Sequence, residues 1–113
     1  MRRFEIWLAK LNPQRDTEVG KTRPVVVVQT NLLNDAHPST IVCPISTNVI
    51  SDSEVLRVHL SAHESGLDKD SDILVDQLRA IDNRRFIRKL GELPVDVRKK
   101  LIFNLKVVLD LNW

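Results

Sequence analysis

"KTRPVVVVQT", residues 21–30, places a run of valines directly behind an arginine and a proline. A short, unbroken β-branched run suits a strand buried on both faces. The arginine ahead of it is the anomaly. A guanidinium at the mouth of a buried strand is costly unless it is paired or put to use. Pro24 has no N–H and holds the preceding residue in extended backbone, so the chain itself fixes where Arg23 points.

Outward from that strand the pattern stays β. On its N-terminal side, "FEIWLAKL" (4–11) alternates Glu5, Trp7 and Ala9 against Ile6, Leu8 and Lys10, which predicts a half-buried strand. The loop "NPQRDTEVGKTRP" (12–24) joins the two and is long for a hairpin. On the other side, the polar connection "NLLNDAHPST" (31–40) leads to "TIVCPIST" (40–47), a strand ending in hydroxyls. Pro44 marks an edge, a bulge or the end of that strand. Further strands are predicted in "SEVLRVHLS" (53–61), in "SDILVDQLRAID" (71–82, as one or two) and in "RFIRKLGEL" (85–93). The chain closes with a helix over 93–113, with Pro94 in its first turn. Val97, Leu101, Leu105 and Val108 form its apolar face, widened by Ile102 and Leu109. The stripe caps its own sheet and is wide enough to meet a second subunit. These elements predict a mainly β, α+β fold: a small antiparallel β-barrel with a C-terminal α-helix, as a single domain over residues 1–113.

Composition narrows the class. At 42% hydrophobic and 28% charged, the chain is an ordinary globular one. Its net charge of +2 permits nucleic-acid binding without demanding it. The lone cysteine, Cys43, has no internal disulfide partner and lies in the apolar run "IVCPI", so it reads as a small buried hydrophobe in a reducing compartment. No stretch is long enough to span a bilayer, and Glu5 and Lys10 interrupt the N-terminal apolar segment, so the expected location is the cytoplasm.

Nucleotide-binding glycine motifs, a nucleophile elbow and zinc-ligand spacing are all absent from the sequence. His37, His59 and His63 read as solvated or rim histidines, and "DKDSD" (68–72) as a polar turn lacking the glycine and distal glutamate of a calcium loop. No metal or other cofactor is expected. What remains is polar residues at strand ends: Arg23 opening the valine strand, Ser46 and Thr47 closing the next, Asp76 and Gln77 after "ILV". Converging, they would make a cleft with an arginine, hydroxyls and a carboxylate. The structural alternative is that Arg23 pairs with Glu18 or Asp76 and the hydroxyls satisfy strand ends.

"FEIWLAKLNPQRDTEVGKTRPVVVVQTNLLN" resembles the N-terminal half of MazF/PemK-type toxins, the ribonuclease components of bacterial toxin–antitoxin modules. Glu5, Ile6, Trp7, Asn12, Pro13, Glu18, Gly20, Arg23 and Pro24 carry the likeness. "IVCPIST" (41–47) resembles the family's hydroxyl-bearing strand end, and "ILVDQLRAID" (73–82) its acidic-Gln segment. The resemblance implies an SH3-like barrel, a homodimer, sequence-specific cleavage of single-stranded RNA, and a cognate antitoxin whose extended segment occupies the RNA groove.

RNA carries its own nucleophile, the 2′-hydroxyl, so cleavage needs only alignment, proton transfer and stabilisation of phosphoryl charge. On the resemblance, Arg23 stabilises that charge, Ser46 or Thr47 hydrogen-bonds the scissile phosphate, and Asp76 accepts the 2′-hydroxyl proton or orients Arg23. The products are a 2′,3′-cyclic phosphate and a 5′-hydroxyl. Arg15, Glu18, Lys21, Gln77 and Arg79 are candidate RNA contacts. "NRRFIRK" (83–89) is either a solvated face or a further contact, and Trp7 is core or interface. Thr17 and Leu74 stand where some relatives have histidine and arginine, so a mechanism using those groups does not carry over. A second class is a toxin of this fold that cleaves nothing and poisons a protein such as DNA gyrase. Trp113 at the C-terminus suits that reading, and the trio Arg23, Ser46 and Asp76 suits cleavage.

Overall fold

The valine run forms the middle of a curled antiparallel sheet in the computed structural model, which describes residues 1–11, 22–50 and 55–111. The strands are β1 (Glu5–Lys10), β2 (Thr22–Val27), β3 (Ser39–Ser46), β4 (Arg57–Leu60), β5 (Ser71–Leu74), β6 (Arg79–Asp82) and β7 (Phe86–Glu92). Two helices, α1 (Ala62–Ser65) and α2 (Val95–Val108), and 3₁₀ turns at Val75–Gln77 and Asn83–Arg85 complete the described chain. The hydrogen-bonded order is β4-β5-β3-β2-β1-β7, with β6 also paired to β3.

Val25, Val26 and Val27 are all fully buried, as an uninterrupted β-branched strand requires. They alternate between two apolar clusters. Val26 joins Ile6, Cys43, Ile45, Ile73 and Leu60 in the main core. Val25 and Val27 join Ala9, Leu11, Val42 and Ile81 on the other face, where Trp7 packs edge-on against Phe86 at 5.9 Å. Trp7 is thus packed, not presented as a stacking platform.

Pro44 is neither at a sheet edge nor at the last residue of its strand. It sits inside β3, opposite Val25. On its far side β3 changes partner, pairing β6 through Ser39–Val42 and β5 through Ile45–Ser46. A missing N–H is tolerated at such a switch because neither partner strand needs it. The segment 71–82 is accordingly two short strands, β5 and β6, separated by the Val75–Gln77 turn. The strand expected over 53–61 begins only at Arg57, and "DKDSD" is not all turn: Ser71 and Asp72 are buried in β5.

The helix turns its predicted face to the core, though not evenly along its length. Val97 and Leu101 are buried in the main core, while Leu105 and Val108 only pack against it. The third buried helical residue is Asn104, whose Nδ2 donates to the Arg57 carbonyl at 3.4 Å. Pro94 precedes the helix as its N-cap rather than lying in the first turn. The barrel is not closed by a hydrogen-bond ladder. Instead α1 ends on Gly66, at φ +81°, and the backbones of Gly66 and Gly91 in β7 meet without side chains between them.

Charge ties β1 to β7. The Glu5 carboxylate accepts from Trp7 Nε1 at 3.0 Å and the Arg2 N–H at 2.8 Å, and pairs with Lys89 at 3.1 Å. Burial works against its ionisation, but these donors hold its pKa below the usual value. Asp82 is drawn down to about 2 by hydrogen bonds from Arg84. Both folded-state values lie below the unfolded ones, so their stabilisation is present at neutral pH and is lost as pH falls through the folded values. Calorimetry should show the melting temperature dropping between roughly pH 5 and pH 2, and Glu5→Gln should flatten the upper part of that fall. An unchanged slope in Glu5→Gln would show that the β1–β7 charges contribute nothing.

Candidate active site

Arg23 is the second residue of β2 and is half-buried. Among the described residues, no acceptor lies within hydrogen-bonding distance of its guanidinium, and Asp76 does not pair with it. The β2–β3 register runs Val27 with Val42, Val26 with Cys43 and Val25 with Pro44. Continued by two residues, it sets Arg23 opposite Ser46 on one face of the sheet. Arg23 and Thr47 also line a shallow cavity of about 330 Å³, with Thr22, Pro24 and Ile45. Pro24 and Thr47 are shared with a neighbouring cavity of about 410 Å³, whose rim carries Lys69 and Arg88. The cavity therefore joins Arg23 to Thr47, while Ser46 faces it only by continuation of the β2–β3 register.

The two hydroxyls differ. Ser46 Oγ accepts the Asn48 N–H at 3.1 Å, which fixes the oxygen and leaves its own hydrogen free to donate. Thr47 is exposed, and its hydroxyl has no partner among the described residues.

The carboxylate directly opposite Ser46 on β5 is Asp72. Asp76 follows beyond the end of β5, exposed on the Val75–Gln77 turn beside Gln77. Its charge is felt at Cys43, whose buried thiol is pushed up to about 12 by burial first and by Asp76 second. That thiol stays protonated and inert. Arg79 pairs with Val42. Alternation along β3 puts Val42 and Ser46 on the same face, so Arg79 lies on the face of Arg23, roughly 13 Å along the strand. Arg15, Glu18, Lys21 and Trp113 lie outside the described residues.

The basic run 83–89 is mostly engaged in the fold. Arg84 pairs with Asp82 at 2.9 Å, Lys89 with Glu5, and Arg85 donates to the Lys10 carbonyl at 3.3 Å. Arg88 alone opens onto a cavity. His59 is a rim histidine, but its Nδ1 lies 3.4 Å from Asp72. Asp72 and Arg57 are the polar residues that the sequence reading passed over. Alternation marked Arg57, on the outward side of β4, but not Asp72, since every residue of β5 is buried. Among the described residues no group of His, Cys, Asp or Glu could hold a metal ion, and no helix is long and apolar enough to cross a membrane.

Residues 2–109 match the family model described as the PemK-like, MazF-like toxin of type II toxin–antitoxin systems. A curated relative from Staphylococcus saprophyticus, named Endoribonuclease MazF, is 33% identical over 112 residues, covering 99% of this chain and 93% of its own. The Staphylococcus epidermidis protein of the same name matches equally. Among solved structures, the Mycobacterium tuberculosis toxin MazF-mt6 superposes with a TM-score of 0.81 at 24% identity, over 96% of this chain and 99% of that one. A MazE-MazF structure from Deinococcus radiodurans gives 0.80 at 24% identity, over 99% and 97%. At those identities the structures establish the shared fold.

Proposed function

The chain belongs to the PemK-like, MazF-like family of type II toxins, and on that premise we propose that it is a sequence-specific endoribonuclease that cuts single-stranded RNA without a metal. The observation that carries the reading is an arginine with no partner among the described residues, lining a cavity with Thr47 and next in the β2–β3 register to Ser46, whose oxygen is held by the Asn48 N–H. The 33%-identical relatives named as endoribonucleases support it.

In the proposed reaction the 2′-oxygen attacks phosphorus and the bond to the 5′-oxygen breaks. The nucleophile gives its proton to Asp76, exposed on the Val75–Gln77 turn, and the leaving 5′-oxygen takes one up from water. The products are a 2′,3′-cyclic phosphate and a 5′-hydroxyl. Arg23 stabilises charge on the phosphoryl oxygens, for which its planar fork is suited and proton transfer is not. Ser46 donates to the scissile phosphate, with Thr47 at the edge of the adjoining cavity. Gln77 and Arg79, with Arg15, Glu18 and Lys21, contact flanking nucleotides. Residues 1–113 act as one toxin domain in the cytoplasm, as a homodimer, restrained by a cognate antitoxin. Exposed Phe103 and Val107 on α2, beside Val49, Ile50 and Val55, supply apolar surface for the dimer. The MazE-MazF structures of Deinococcus radiodurans support the antitoxin.

The test is cleavage of end-labelled RNA in excess EDTA, beside the same RNA carrying deoxyribose at the cut site. Cutting is expected to survive EDTA and to vanish with the 2′-hydroxyl. If a sequence-diverse RNA pool stays intact, the ribonuclease reading fails and binding to gyrase is the next assay.

A further inference from the structure

Asp72 has a relative exposure of 2% and is the only carboxylate residue that is buried among the described residues. A buried carboxylate needs several donors to offset its lost hydration. It has them. Asp72 Oδ2 accepts the Ile50 N–H at 2.9 Å and an Arg57 Nη1 hydrogen at 3.3 Å, and Oδ1 faces His59 Nδ1 at 3.4 Å. Two of these contacts act on the chain just downstream of Ser46. Arg57 Nη1 also donates to the Asn48 carbonyl at 2.7 Å. Asn48 in turn donates its N–H to Ser46 Oγ.

A continuous path therefore runs from the buried carboxylate through Arg57 and Asn48 to the Ser46 hydroxyl, while Ile50 pins the same segment a second time. Asp72, Arg57, Asn48 and Ile50 do not line the cavity beside Arg23. We propose that Asp72 and Arg57 are positioning residues of the active site: they clamp residues 48–50 so that Ser46 Oγ is held with its hydrogen turned toward the phosphate. The inference rests on the ribonuclease reading and deepens it, since it assigns the rate to a pre-set hydroxyl rather than to Arg23 alone. A displacement of about an ångström at a catalytic group costs on the order of a hundredfold in rate.

The experiment is single-turnover cleavage by wild type, Asp72→Asn, Arg57→Gln and each of these in a Ser46→Ala background, with melting temperatures alongside. Asp72→Asn and Arg57→Gln are expected to lower kcat on the order of tenfold to a hundredfold with KM nearly unchanged. In the Ser46→Ala background the same changes should cost nothing further, because the clamp acts through that hydroxyl. Arg57→Lys should recover part of the Arg57→Gln loss by restoring a donor to the Asn48 carbonyl. Arg57 is the second variant because Asp72→Asn is the one more prone to unfold. Full kcat in folded Arg57→Gln, or losses that add to that of Ser46→Ala, would overturn the clamp while leaving the ribonuclease standing. A wild-type protein that cuts no RNA removes both.

Discussion

Arg23→Ala is expected to lower the single-turnover cleavage rate by about a hundredfold to a thousandfold, the usual loss when one preorganised donor to a developing oxyanion is removed. The fold should hardly notice. The Arg23 guanidinium has no acceptor among the described residues, so its removal breaks no ion pair or hydrogen bond there. The valines behind it stay buried, and Pro24 still sets the backbone. A change in stability within about 0.5 kcal/mol follows. That contrast is what separates a catalytic arginine from a structural one, whose loss would uncover a buried carboxylate. Arg23→Lys should recover only part of the rate, because an ammonium is a point charge that cannot grip two phosphoryl oxygens at once. The measurement is single-turnover cleavage beside a thermal melt. A folded Arg23→Ala protein that cuts at the wild-type rate would remove Arg23 from the mechanism.

The legibility of this arginine, and the illegibility of the residues behind Ser46, have the same physical origin. Strand character is local: four valines, an alternating "FEIWLAKL" and a terminal apolar helix carry their periodicity in contiguous residues. Arg23 stood out because it breaks such a pattern. Asp72 did not, because what matters about it is its partner across the sheet. Register is set by tertiary pairing, and it is register that places Asp72 opposite Ser46. Asn104 was passed over for a related reason. A stripe counted by apolar residues cannot include a polar side chain that finds an acceptor on β4. Pro44 misled in the opposite direction: its missing N–H suggested an edge, and a change of partner strand serves equally well.

The second large effect concerns stability, at Gly91. A methyl group built there would overlap the Ser65 carbonyl oxygen, a backbone atom at the end of α1. No rotamer relieves that contact, and Ser65→Gly should not rescue it, since the carbonyl stays where it is. Relief requires β7 or α1 to move. β7 cannot move freely, because it is paired with β1 and its Lys89 and Glu92 belong to the charge cluster on Glu5. Gly91→Ala should therefore cost about 2–3 kcal/mol, the upper part of the range for overpacking a well-filled site, because the overlapped atom is backbone. For a domain of this size that corresponds to a fall of roughly 10 °C in melting temperature. Gly66→Ala should also destabilise, through two causes: φ of +81°, which a side chain adopts at a cost, and a Cβ 2.8 Å from the Leu90 carbonyl oxygen. Gly66, with Arg88 and Leu90 of β7, walls the cavity that shares Pro24 and Thr47 with the candidate site. Below its lowered melting point, Gly91→Ala should still cleave if only the closure is strained. It should lose rate in proportion to the widening if the cavity wall shifts with β7. Equal melting temperatures for Gly91→Ala and wild type would show that the contact between α1 and β7 is not what holds the curled sheet shut.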